Sequence, residues 1–176
     1  MAANQVIMVQ VANHEWNKQA LYYACTLARR GVSKISLVKM IPVQHIAWLG
    51  TEFGNLNLTN AERIELADCA ATVEDYGVEY STLVFQYTTL SDALLDAAQH
   101  VQADVVFATL PHGLFPWWDK FREENLRRQF AKQQRVLIDK SSLFEEAKTR
   151  GKTRSIVDLQ VHGALDQIHS GEWRSL

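Results

Sequence analysis

Cysteine is nearly absent: Cys25 and Cys69 stand alone, with no C-x-x-C pair and no chelating spacing. That excludes a disulfide framework and a cysteine metal site, and both residues are expected to be buried, inert thiols. Basic excess is also missing. The net charge is -2 and the pI about 6.3, so counterion-driven binding to nucleic acid has no footprint, and nothing in the balance favours an acidic partner. No stretch approaches the roughly 18 apolar residues that span a bilayer, and the start MAANQVIMV has no basic region ahead of a long apolar one. The expectation is a cytoplasmic protein without membrane insertion. G-x-S-x-G, G-x-x-x-x-G-K-[ST], G-x-G-x-x-G and H-E-x-x-H are all absent. The common esterase, phosphate-loop, dinucleotide and zinc-protease chemistries therefore have no motif here.

What is present is a core-forming chain. Its 176 residues are 47% hydrophobic and 22% charged, enough for one well-buried domain plus an appendage. Val6 to Val11 is a compact apolar run, and Trp16, Ala20, Ala24, Leu27 and Ala28 then fall on one helical face that Gly31 ends. Ile35 to Val43 is the next apolar run, with no tight hairpin turn before it, which argues for parallel pairing through the helix. Thr59 and Glu62 form a capping box, with Ile64, Ala67 and Ala71 as the predicted inner face of a helix ending near Gly77. Val78 to Phe85 alternates weakly. Thr89 to Asp92 resembles a second capping box, and Leu90, Leu94, Ala97, Ala98 and Val101 repeat at helical spacing. Val105 to Ala108, a helix from about Trp117 to Lys132, and Val136-Leu137-Ile138 complete the alternation. Apolar strands alternating with helices imply a parallel sheet covered on both faces.

Two segments depart from that rhythm. The connection from Gln44 to Leu58 carries Ile46, Trp48, Leu49, Phe53, Leu56 and Leu58, too apolar for a freely solvated loop, and is expected to fold back or meet a partner. Beyond Ile138, Val157, Leu159 and Val161 alternate with Asp158, Gln160 and His162 in the period of a half-buried strand.

The order of elements, together with VIMVQVANHEWNKQALYYACTLAR, ADVVFATLPHG and VLID, resembles the universal stress protein (UspA-like) family over about residues 5 to 140. The resemblance implies an α/β fold: an open five-stranded parallel sheet of order 3-2-1-4-5 with helices on both faces. Residues 1–140 would form that domain, and residues 141–176 an extension packing on the domain or on a dimer partner. The topological switch point would lie between the first and fourth strands, where Ala12 to Glu15 meet Thr109 to Gly113. A ligand crevice there would draw on Ala12, Asn13, His14, Met40, Thr109, Leu110, His112, Gly113, Glu123 and Glu124. The resemblance also implies a homodimer joined through Val136, Leu137 and Ile138.

Some members of the family hold ATP at this crevice, through G-x-x-G followed after nine residues by G-[ST]. Glycines are needed there because backbone N–H groups must approach phosphate oxygens closely. With Gly113 as the second glycine, Leu110 replaces the first, and the later pair falls on Glu123-Glu124, or on Glu124-Asn125 with a slip of one. Carboxylates near a triphosphate repel it by on the order of 1 to 4 kcal/mol at surface dielectric values. The family's acidic residue after the first strand corresponds to Ala12 or Asn13. No cofactor is therefore expected.

The stretch PHGLFPWW, residues 111 to 118, leaves three readings open. Phe115, Trp117 and Trp118 fill the vacated crevice or pack on the first helix, or Trp117 and Trp118 anchor a protein partner, or they stack on bases. His14, His45 and His112 follow the first, second and fourth strands, and three imidazoles are a known zinc set, but isolated loop histidines are mostly solvated or satisfied by backbone, so no metal is expected. Asp92 and Asp96 share a helix face, explained as a solvated one. Together these observations predict a non-enzymatic regulatory or adaptor homodimer that does not bind ATP and serves a protein partner not identified by the sequence. The alternative is an adenine-nucleotide-binding regulator with a degenerate crevice, and a metal-dependent enzyme ranks below it. A free protein and the soluble module of a transporter are not separated at this level.

Overall fold

The chain is described by a computed structural model covering residues 5–31, 33–43, 58–110 and 116–139, with the backbone alone at residues 116 and 118. Val6–Val11 (β1), Lys34–Pro42 (β2), Tyr80–Tyr87 (β3), Val105–Phe107 (β4) and Val136–Ile138 (β5) pair in parallel in the order β3-β2-β1-β4-β5. Four helices connect them: α1 (His14–Gly31), α2 (Asn60–Asp75), α3 (Leu90–His100) and α4 (Pro116–Lys132). This is the expected α/β architecture.

β1 runs through the middle of the sheet, with Val9 set between Leu37 and Phe107, and all six of its residues are buried. Because side chains alternate across a strand, the sheet separates two apolar cores. Ile7, Val9, Val11, Ile35, Leu37 and Phe107 pack under α1 and α2, while Met8, Val38, Met40, Val106 and Leu137 pack under α3 and α4. Trp16, Ala20, Ala24 and Ala28 seat α1, as the helical period requires, and Leu126 and Phe130 seat α4.

Three local expectations are corrected. α2 does not bury Ile64, Ala67 and Ala71; these are exposed, Ile64 by 61%, and the inner face carries Cys69 and Val73 with Leu66 and Ala70 half-buried. Alanine marks neither face strongly, and the side bearing Glu65 turns inward because that carboxylate binds groups on β2 and α1. The second capping box does not form: Thr89 caps α3 with no side-chain hydrogen bond, whereas Thr59 and Glu62 make theirs in full. β3 begins at Tyr80, not Val78, because Val78 is used to end α2. There the Gly77 amide bonds Glu74 and the Val78 amide bonds Val73, with Gly77 at φ +68. That is a Schellman ending, and the chain repeats it twice without glycine. Gln102 (φ 55) closes α3 through Gln99 and Ala98, and Gln134 (φ 58) closes α4 through Ala131 and Phe130.

Expectations placed on residues 44–57, on residues 111–115 with His112, Gly113 and Phe115, and on residues 140–176 lie outside the described residues.

Candidate functional site

The carboxyl ends of β1 and β4 are the place where an open parallel sheet of this order opens a crevice, because the crossovers leave in opposite directions. A buried glutamine stands there. Gln10, 5% exposed, points to the α3 and α4 side of β1, and its Oε1 accepts a hydrogen bond from the Thr109 amide at 2.8 Å. Its own carbonyl accepts from the Trp16 indole Nε1 at 2.8 Å. One residue thus fastens the loop after β4 to the first turn of α1.

The loop from β1 into α1 is likewise satisfied from within. Asn13 Oδ1 accepts from the Trp16 amide at 3.0 Å and caps the helix, and the Ala12 amide donates to Asn17 Oδ1 at 2.9 Å. Two of the N–H groups around this helix start, those of Ala12 and Trp16, are therefore already engaged by side chains. Asn17 Nδ2 donates to Glu65 Oε1 at 3.0 Å, and Lys39 Nζ meets Glu65 Oε2 at 2.8 Å. Asn17 and Lys39 are both buried, so this network holds α1, α2 and β2 together beside the crevice.

Of the predicted crevice residues, Thr109 bonds Gln10, and Ala12, Asn13 and Leu110 adjoin that pair along the chain. Ala12 packs half-buried at the edge of the α1 and α2 core, and Leu110 at the edge of the opposite core. Met40 is 8% exposed and packs within the α3 and α4 core. His14 lies exposed in the first turn of α1. Glu123 and Glu124 are engaged on their own helix, Glu123 at 3.4 Å from Arg127 and Glu124 at 2.7 Å from Arg128. Arg127 also grips the buried Asp139 at the end of β5, at 2.6 Å. Burial works to lower the Arg127 pKa, but Asp139 and then Glu123 outweigh it and hold the guanidinium above its ordinary value. Its charge is shared between two carboxylates.

Trp117 does not fill the crevice. It is 67% exposed near the start of α4, and Phe121, one turn on, is 61% exposed, so the plug reading fails for this tryptophan. Both thiols are buried, and that burial pushes Cys25 and Cys69 up to about 11, which keeps them protonated and unreactive at neutral pH. Among the described residues no group of three or more His, Cys, Asp or Glu is arranged to hold a metal ion, and no helix is long and apolar enough to cross a membrane.

The sequence reading passed over Gln10, Lys39, Glu65 and Asn17. A signal existed for two of them. Gln10 and Lys39 interrupt VIMVQV and KISLVKMIP, strands otherwise fit for burial on both faces, and a polar group in such a run needs a partner.

The sequence matches no family model and no curated protein. In three dimensions the chain is similar to a protein from the universal stress protein family of Burkholderia pseudomallei, with a TM-score of 0.54 at 17% identity, over 77% of this chain and 94% of that one. It is also similar to a universal stress protein in complex with cAMP, with a TM-score of 0.53 at 14% identity, over 78% of this chain and 96% of that one. At these identities the likeness establishes the fold, which is UspA-like.

Proposed function

We propose that this chain is a universal stress protein that does not hold ATP in the family's manner and works as a non-enzymatic regulatory or adaptor homodimer in the cytoplasm. The observation that carries the reading is the bond from the Thr109 amide to buried Gln10, which consumes a backbone donor at the switch point. The loss of two of the three cradle glycines, at Leu110 and at Glu123 or Glu124, supports it. The domain spans residues 1–140, with residues 141–176 as an extension. β5 ends the sheet as an edge strand, an apolar edge that a two-fold partner would cover through Val136, Leu137 and Ile138. Exposed Trp117 and Phe121 on α4, with Trp118 between them, are the surface assigned to a protein partner.

ATP with Mg²⁺ at millimolar concentration is expected to give no thermal shift, where a micromolar ligand would add about 4 kcal/mol. A clear shift, or nucleotide carried through purification, overturns the non-binding assignment. Replacing Leu110→Gly with Glu123→Gly is expected not to restore binding while Gln10 holds Thr109. Sedimentation at tens of micromolar tests assembly, and a monomer there removes the dimer.

A second reading is an adenine-nucleotide regulator that uses altered contacts, favoured by the fold neighbour in complex with cAMP. ATP, AMP and cAMP in the same thermal-shift panel test it, since this reading, an ATP- or AMP-binding regulator, requires a shift with at least one of them.

A further inference from the structure

α1 and α2 lie side by side on one face of the sheet and leave between them an open groove of about 1320 Å³. Helices of a parallel sheet run back against the strands, so the first turns of α1 and α2 stand at the carboxyl edge. That end of the groove is acidic: Glu15, Glu62, Glu65 and Asp68 line it, with Lys18 and His14 as the basic lining residues and Glu65 paired with Lys39. Further along, Leu21, Tyr22, Tyr23 and Tyr76 make it apolar. Tyr22 at 45% and Ile64 at 61% exposure leave large apolar surface in water. The groove exceeds the roughly 300–1,000 Å³ of a drug-sized site and suits an extended chain.

We propose that the occupant is the chain's own segment from Lys148 to Val161. Lys148, Arg150, Lys152 and Arg154 come first, with no carboxylate from residue 147 to residue 157, and Val157, Leu159 and Val161 follow. This order of cations and then apolar residues matches the groove read from the carboxyl edge downwards. The chain leaves the described domain at Asp139, at that same edge, and β5 is separated from β1 only by β4, about 10 Å in strand spacing. The residues between Asp139 and Lys148 extend to about 30 Å, enough to reach the groove's acidic end. The competing occupants lack this fit. The same groove of a second copy would set carboxylates against carboxylates, and residues 44–57 carry Glu52 with no lysine or arginine.

The test uses the full chain with Tyr22→Cys and Leu159→Cys, beside a control that pairs Tyr22→Cys with Ser175→Cys. Tyr22 is exposed in the apolar part of the groove and the native thiols are buried, so the engineered pair reports alone. On mild oxidation the first pair is expected to close a disulfide within one chain about tenfold faster than the control, as a raised effective concentration requires. Adding Arg150→Glu and Arg154→Glu is expected to remove that advantage, as is molar salt. Equal rates for the two pairs, a disulfide that joins two chains, or a rate untouched by charge reversal overturns the proposal.

Discussion

Gln10 and Thr109 stand 99 residues apart in sequence and 2.8 Å apart in space, side-chain oxygen to backbone amide, across the junction of β1 and β4. The contact sits where the fold would otherwise present free backbone donors to a ligand. Gln10→Leu keeps the volume and removes the acceptor, leaving the Thr109 amide without this partner in a half-buried place. The variant is expected to lose about 1 to 3 kcal/mol, read from urea midpoints. An unchanged midpoint would show that the contact has no structural weight.

The Lys39 and Glu65 pair is asymmetric, and its variants are expected to be so too. The lysine side chain is 9% exposed and the carboxylate 27%. Glu65→Met strands a buried ammonium and is expected to cost about 3 kcal/mol or more, while Lys39→Met leaves a better solvated carboxylate that Asn17 still binds. The double variant is expected to recover most of the Glu65→Met loss. Equal single costs in chemical denaturation would refute the asymmetry.

The two threonine caps separate cleanly. Thr59→Ala is expected to cost about 1 kcal/mol, whereas Thr89→Ala, which removes no side-chain bond, is expected to change stability by a few tenths. The Thr59 amide and hydroxyl hold Glu62 below its ordinary carboxylate value. A lowered native pKa means that the contribution is complete above the unfolded value and is lost as pH falls through the native one. The gap between wild type and Thr59→Ala is therefore expected to narrow in acid, and a gap constant down to strongly acidic pH would contradict the capping account.

Gln102 and Gln134 occupy left-handed conformations that disfavour side chains. Both are exposed, so Gln102→Gly and Gln134→Gly lose little packing while relieving the strain. Each is expected to stabilise the protein by about 0.5 to 1 kcal/mol, measured by thermal or urea unfolding. Destabilisation by either would mean that the glutamine side chain contributes more than the backbone strain it imposes.

The sequence by itself determined the alternation of elements. Each strand is a short apolar run fit for burial on both faces, and each of α1, α2 and α3 declares itself by period or cap, properties carried within a dozen neighbouring residues. The Thr59 and Glu62 box was legible for the same reason: both partners lie within one helical turn. Tertiary structure decided what local pattern leaves degenerate. α2 carries small apolar residues on two sides, and only the reach of Glu65 to Lys39 and Asn17 selected the inner one. The endings at Gln102 and Gln134 carry no glycine to announce them and arise because the chain must turn there into β4 and β5. Trp117 looks like core material by composition, yet its place on the outer side of α4 leaves it exposed. The state of the crevice was the least legible of all, because it depends on which backbone donors find a partner. Gln10 and Thr109 meet only after β1 and β4 have paired, through the chain entropy and burial of the whole sheet.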